Sequence, residues 1–114
     1  MALDIIKTAD IIEAMENFLE RKRPPEDIRD KLDLGYRIEN QSILIFEIRP
    51  RWNMPQKKIE SPVAKTTYVK NKGHWKAYWM RGNLKWYPYH PAAFNTLQAF
   101  LEEVETDPRH CFFG

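Results

Sequence analysis

The chain has 114 residues, of which 43% are hydrophobic and 30% charged. These values are typical of one soluble globular domain, so we expect a single domain over residues 1–114 and exclude wholesale disorder. No apolar run approaches the roughly 20 residues that span a bilayer. The amino-terminal segment has an aspartate, and it lacks the basic region and apolar core of a secretory signal. With one cysteine, Cys111, a framework of internal disulfides is excluded. These features predict a cytoplasmic protein without a membrane partner.

The net charge of +2 conceals an asymmetry along the sequence. Between Arg49 and Trp86 there are ten Lys or Arg residues against one acid, Glu60, which gives this segment +9 and leaves −7 for the rest. A basic centre with acidic ends predicts a dipolar molecule if the two sets fold to different faces.

Helical spacing of apolar residues marks the first element, a helix over 8–22 that ends before Pro24-Pro25. Its apolar stripe consists of Ile11, Ile12, Met15, Phe18 and Leu19. A short second helix is expected from Pro25, with Ile28 and Leu32 buried, because proline suits the first helical turn.

Two strands and a loop are expected next. Alternation over 34–39 predicts a half-buried strand, and 42–49 is apolar on both parities, which favours a position inside the sheet. Glu47 and Arg49 place charges among the odd-numbered residues of that strand. The even-numbered residues Leu44, Phe46 and Ile48 are therefore expected to face the core. The three prolines of 50–62 predict a long loop. Such loops are often functional, but the simpler interpretation is a crossover over the sheet edge with Trp52 tucked beneath it.

The segment from Pro62 to Tyr89 contains three of the four tryptophans, four of the five tyrosines and no acid. Its turn signals predict strands over 63–70 and 74–81 and a third strand that ends at Pro88 and Pro91. Alternation within 74–81 predicts that Trp75 and Trp79 enter the core. Lys76 and Tyr78 would then point outward.

A final helix is expected from Pro91, with Asp107-Pro108 closing it. Its apolar stripe consists of Ala93, Phe94, Leu97, Phe100, Leu101 and Val104. This stripe is expected against strand 42–49, and Phe112 and Phe113 should dock on the core. The predicted fold is α+β: an antiparallel meander of about five strands with the amino- and carboxy-terminal helices packed on one face. The other face would be exposed or covered by a partner.

Several segments resemble a bacterial family catalogued as a domain of unknown function, number 3024. They are PPEDIRDKL, IFEIRPRW, PVAKTTYVKNKGHWKAYWMR, KWYPY and the terminal CFFG. The resemblance covers most of the chain and implies a fold and a length. It implies no activity, cofactor or catalytic residue.

Enzyme motifs are weak in this sequence. Asp33 and Glu47 resemble the acidic pair of metal-dependent nucleases, but a surface pair of Glu47 with Arg49 or Arg37 is the simpler interpretation. The histidines and the cysteine lack zinc-ligand spacing, and Cys111 between aromatic neighbours is expected to be a buried thiol. We therefore predict no catalytic residue, no metal and no cofactor.

Interleaved basic and aromatic residues point to a binding surface. Single-stranded nucleic acid is held by cations along its phosphates and by aromatic faces that stack on bases. The residues expected to contact phosphates are Arg49, Arg51, Lys65, Lys76, Arg81 and Lys85. Trp52, Tyr68 or Tyr78 would stack on bases. The sequence thus predicts a non-catalytic binding or regulatory module with nucleic acid as its partner.

Two other interpretations remain open. The same residues could be structural, since aromatic pairs stabilise neighbouring strands and lysines on strands discourage edge-to-edge aggregation. Alternatively, the aromatic surface could serve self-association, which would make the chain a homo-oligomeric structural or protein-interaction domain.

Overall fold

The computed structural model describes residues 5–113, with side chains over 7–113. In chain order the elements are α1 (Ile5–Lys22), a 3₁₀ turn (Glu26–Ile28), β1 (Asp33–Glu39), β2 (Ser42–Arg51), β3 (Met54–Val69), β4 (His74–Met80), β5 (Trp86–Phe94) and α2 (Leu97–Thr106). The strands form one antiparallel sheet in the order β1-β2-β3-β4-β5. The helices pack together on one side of this sheet. The predicted α+β meander with two helices is confirmed.

The first helix follows its sequence pattern closely. Ile11, Met15 and Phe18 are buried at spacings of four and three residues, which places them on one helical stripe facing the sheet. Ile12 lies off this stripe and is exposed, contrary to expectation. Two basic residues occupy the last turn, where cations offset the partial negative charge of the carbonyl groups.

The predicted second helix is reduced to one 3₁₀ turn. Ile28, which was expected to be buried, is exposed, and Leu32 is half-buried. The segment is short because Asp33 already begins β1, where its carboxylate accepts two hydrogen bonds from Arg23, both of 2.7 Å. This bidentate pair joins the two ends of the connection between α1 and β1.

The prediction for the core face of β2 is wrong. Ile43 and Ile45 lie in the core with the helices, whereas Phe46 is buried on the opposite side of the sheet and Leu44 is half-buried. The physical reason lies in the cross-strand register. Tyr36 of β1 packs on the core side and pairs with Ile45. Because directly paired residues of neighbouring strands face the same side of a sheet, the odd-numbered residues of β2 also face the core.

The expected loop over 50–62 is instead a projecting β-ribbon. Pairing of β1 with β2 ends at Ile48, and pairing of β4 with β3 ends at Ala64. Beyond these points, within residues 5–113, β2 and β3 pair only with each other, and we call residues 49–60 the arm. Its prolines are tolerated because the arm strands have no outer neighbours that need an N–H donor. Trp52 lies at the tip and is 93% exposed, so the expectation that it is tucked under the sheet is wrong.

The last strand also continues further than expected. β5 runs through Pro88 and Pro91 to Phe94, and it can include prolines because it is an edge strand. The final helix therefore begins only at Leu97, after the Thr96 hydroxyl accepts a hydrogen bond from the Ala99 N–H.

The second helix supplies much of the core. Leu97, Phe100, Leu101 and Val104 are buried as predicted. Their helix packs mainly on α1, β4 and β5, whereas the sequence pattern had suggested strand 42–49. The residues of β2 are nearer the other edge of the sheet, and α1 shares the space above them.

The carboxy-terminal tail docks on the core, as predicted. Asp107 ends α2 in a left-handed conformation, and its carboxylate accepts hydrogen bonds from the Phe112 and Phe113 N–H groups at 3.1 and 2.9 Å. Phe112 then packs against Tyr89 and Phe100.

Candidate functional site

The side of the sheet away from the helices has no covering element among residues 5–113, and we call it the open face. Lys65 lies on it, opposite Tyr78 in the β3–β4 register. The Lys65 ammonium is 4.9 Å from the centre of the Tyr78 ring and 5.4 Å from that of Trp86. Lys76, two residues before Tyr78 on β4, is exposed on the same face. Two cations and two half-exposed aromatic rings are therefore grouped here.

Another cation of the open face is already neutralised. Arg37 covers the Phe46 ring at 5.1 Å and forms ion pairs with Glu60 and Glu39. Gly35 permits this packing, since a Cβ atom there would lie 2.8 Å from the Phe46 ring. The available positive charge of the open face is therefore on the β3 and β4 side.

The arm brings further positive charge to one end of the sheet. Arg49 is paired with Glu47 at 3.3 Å, and Lys58 donates to the carbonyl of Asp30. Arg51 and Lys57 have no carboxylate within ion-pairing distance among residues 7–113. Arg51 is adjacent to the exposed Trp52 and Lys57 follows five residues later in the arm, so this end of the arm combines an apolar ring with two cations that have no carboxylate partner among residues 7–113.

The β4–β5 turn lies at the same end of the sheet as the arm. The register pairs Ala64 with Trp79 and Met80 with Trp86, so the turn follows directly beside the base of the arm. Lys85 is exposed in this turn. It therefore extends the positive charge from the arm towards the open face.

Two of the predicted site residues lie on the helix side of the sheet. Tyr68 packs against Trp75 with ring centres 4.9 Å apart, and the Lys7 ammonium is 4.0 Å above its ring. Arg81 covers the rings of Trp79 and Tyr87. Both were predicted as ligand contacts from their residue types. Because successive side chains of a strand point to opposite faces, however, they lie on the other side of the sheet from Lys65, Lys76 and Tyr78.

The sequence prediction also omitted one member of the site. Trp86 lies on the open face because it pairs with Met80, two residues beyond Tyr78. The Gly82-Asn83 turn is clear in the sequence. Pairing the residues on its two sides, and following which of them face the same side of the sheet, could have identified Trp86.

The helix side of the sheet carries much of the acidic charge. Within α2 there are Glu102, Glu103 and Glu105, and no basic residue. Glu103 accepts a hydrogen bond of 2.7 Å from the Tyr89 hydroxyl, and burial raises the pKa of Tyr89 well above its usual value. The basic open face and the acidic second helix are thus on opposite sides, as the charge split along the sequence suggested.

The carboxylates and the thiol that could carry catalysis are engaged or shielded. The hydrogen bonds from Arg23 hold the pKa of Asp33 below its ordinary value, and Glu47 is paired with Arg49. Burial raises the pKa of the Cys111 thiol, which disfavours the reactive thiolate. Among residues 7–113, no three His, Cys, Asp or Glu side chains are grouped as metal ligands would be.

In the described part of the chain, no helix is long and apolar enough to cross a membrane.

No curated protein and no solved structure matches the chain. One family model does match, and it covers residues 3–114, essentially the whole sequence. The chain therefore belongs to the family described as Domain of unknown function (DUF3024).

Proposed function

We propose that this domain binds single-stranded nucleic acid along the open face and the arm. The observation that carries the proposal is that Lys76 and Arg51, which have no carboxylate within ion-pairing distance among residues 7–113, lie beside the half-exposed ring of Tyr78 and the exposed ring of Trp52, respectively. Cations along a strand of phosphates and rings that stack on bases are the two requirements for binding single strands.

The two parts of the surface have different tasks. On the open face, Lys76 can contact a phosphate, while Lys65 is held by the rings of Tyr78 and Trp86 and adds positive potential beside them. On the arm, Arg51 and Lys57 can contact phosphates on either side of a base that stacks on Trp52. Lys85 lies between these parts and continues the path of the phosphate backbone.

Self-association through the open face is the second candidate function. Leu44, Ile48, Val69 and Met80 are half-buried on that face, and a second copy could cover them. A two-fold axis that passes near Lys65 and Lys76 would, however, bring these cations close to their own copies in the partner, and like charges oppose each other. A polyanion meets no such repulsion, so the charge favours nucleic acid.

Salt dependence of oligonucleotide binding tests the proposal. Fluorescence anisotropy should show binding at low salt, with log affinity falling linearly as log salt rises. Replacing Arg51 and Lys76 together by Ala should reduce the slope by about 0.7 for each lost phosphate contact. Arg109→Ala removes one exposed cation from the tail on the helix side, and this control should leave the slope unchanged.

The aromatic contribution is separated by Trp52→Ala in the same assay. Loss of one stacking contact should weaken binding by about 1–3 kcal/mol without changing the salt slope, because stacking releases no counterions. Absence of binding at low salt, or binding indifferent to all these substitutions, would contradict the proposal and leave self-association as the remaining candidate.

A further inference from the structure

A cavity of about 280 Å³ opens between β4 and the edge strand β5. Its apolar walls come from Ala77, Pro88, Ala92 and Ala93, and its polar side chains are those of Lys72, His74, Lys76 and Tyr78. Among residues 7–113, no acidic side chain lines it. The cavity therefore combines a small apolar surface with a group of basic side chains.

His74 is unusual among the cavity residues. Its Nε2 atom is buried and has no hydrogen-bond partner, and within the described residues it is the one buried side-chain polar atom in this condition. A buried polar atom without a partner costs free energy, so such atoms call for an explanation. The imidazole ring can donate or accept a hydrogen bond through Nε2, depending on its tautomer and charge.

The cavity is continuous with the open face through two shared residues. Lys76 and Tyr78 belong both to the proposed nucleic-acid surface and to the cavity walls. Lys72 lies beyond them, in the turn that precedes β4. A strand bound across the open face towards this turn would thus bring one end to the cavity.

We propose that this cavity binds the phosphorylated end of a nucleic-acid strand, with the terminal phosphate placed among Lys72, His74 and Lys76. The inference rests on the proposed function and adds recognition of the strand end to it. The volume of about 280 Å³ lies just below the range of small-molecule sites, which suits one terminal nucleotide unit.

Charge distinguishes the terminal phosphate from those inside the strand. A phosphate monoester has a second ionisation near pH 6 and carries close to two negative charges at neutral pH, whereas each internal diester carries one. Lys72 and Lys76 would form charge-assisted hydrogen bonds with its oxygens, and the His74 ring would add a third once it turns its buried Nε2 atom towards the cavity. The sugar and base would contact Pro88 and Tyr78. A terminal monoester thus gains more from this group of side chains than a diester does.

The test compares three oligonucleotides of one sequence, each labelled internally: one with a 5′-phosphate, one with a 3′-phosphate and one with hydroxyl groups at both ends. We expect one of the phosphorylated strands to bind about tenfold more tightly than the hydroxyl-ended strand, the effect of one charge-assisted hydrogen bond. Which end is preferred reports the polarity of the bound strand. The corresponding nucleoside monophosphate should compete with this preference at high concentration.

Two variants assign the preference to the cavity. Lys72→Ala and His74→Gln should each reduce the preference for the phosphorylated end to about twofold or less, while binding of the hydroxyl-ended strand stays close to wild type. Circular dichroism checks that both variants are folded. Equal affinity for all three strands, or a preference that both variants retain, would overturn the inference alone. Failure of the hydroxyl-ended strand to bind would overturn the proposed function, and this inference with it.

Discussion

Replacing Phe100 by Ala should lower the free energy of unfolding by about 3–5 kcal/mol. Phe100 is fully buried at the centre of α2, and its ring meets those of Phe94 and Phe112 edge-on, with centres 5.9 and 6.3 Å apart. Truncation removes buried apolar area and leaves a cavity where the helix, the edge strand and the tail meet. Because small domains are stable by only about 5–15 kcal/mol, the loss would be a large part of the total.

Urea denaturation measures this effect, with Glu102→Ala as the matched control. Glu102 is exposed on the same helix, so its truncation should change stability by about 0.5 kcal/mol or less. A Phe100→Ala protein that unfolds at nearly the wild-type urea concentration would mean that α2 is not part of the cooperative core.

Replacing Asp107 by Ala should cost about 2–4 kcal/mol, because it removes both hydrogen bonds that hold the tail. The carboxylate is the acceptor for the Phe112 and Phe113 N–H groups, and Asp107 is itself buried. The backbone contributes as well, since φ at this position is +45° and alanine tolerates the left-handed region less well than aspartate. Loss of the tail would also expose Phe112, which is 5% exposed in the folded protein.

Asp107→Asn separates the two contributions. The amide keeps one acceptor oxygen and the tolerance for a left-handed backbone, so about half of the loss should be recovered. Thermal unfolding of both variants measures the difference. Equal destabilisation by Ala and Asn would show that the second acceptor oxygen and its charge, rather than the shape of the residue, hold the tail.

The elements predicted correctly are those with local signals. The first helix has a regular apolar stripe and a double proline after it, and the turns after β3 and β4 contain Gly73 and Gly82. Each signal is complete within a few residues. The order of the meander followed from these short connections, because neighbouring strands joined by tight turns pair with each other.

The elements predicted wrongly depend on pairing partners that the sequence does not display. Prolines suggested a loop at 50–62 and an early end to the last strand, yet Pro50 and Pro88 both lie in strands. They are tolerated because one side of each strand has no neighbour there, which is a property of the assembled sheet. The buried face of β2 could not be predicted for a similar reason. Both the odd- and the even-numbered residues of this strand are apolar, so only its pairing with Tyr36 shows which set faces the core.

The candidate site was predicted in part for the same reason. Lys65, Lys76 and Tyr78 share the open face, whereas Tyr68 and Arg81 lie on the helix side. The prediction included Tyr68 and Arg81 because it chose residues by type and did not consider which side of the sheet they face. Tyr68 has the parity of the buried Thr66, so the pattern within β3 already separated it from Lys65 once the core face was known. The exposure of Trp52 could not be predicted, since it depends on the arm extending beyond both flanking strands.

The four tryptophans allow the most direct test of the proposed nucleic-acid surface, since each reports on a different part of the sheet. Trp52 is at the tip of the arm and Trp86 on the open face, whereas Trp75 is in the core and Trp79 lies beneath Arg81 on the helix side. Titration of ¹⁵N-labelled protein with a single-stranded oligonucleotide should shift the indole N–H resonances of Trp52 and Trp86 and leave those of Trp75 and Trp79 in place. Unchanged resonances for Trp52 and Trp86 at low salt, or shifts confined to Trp75 and Trp79, would contradict the proposed surface.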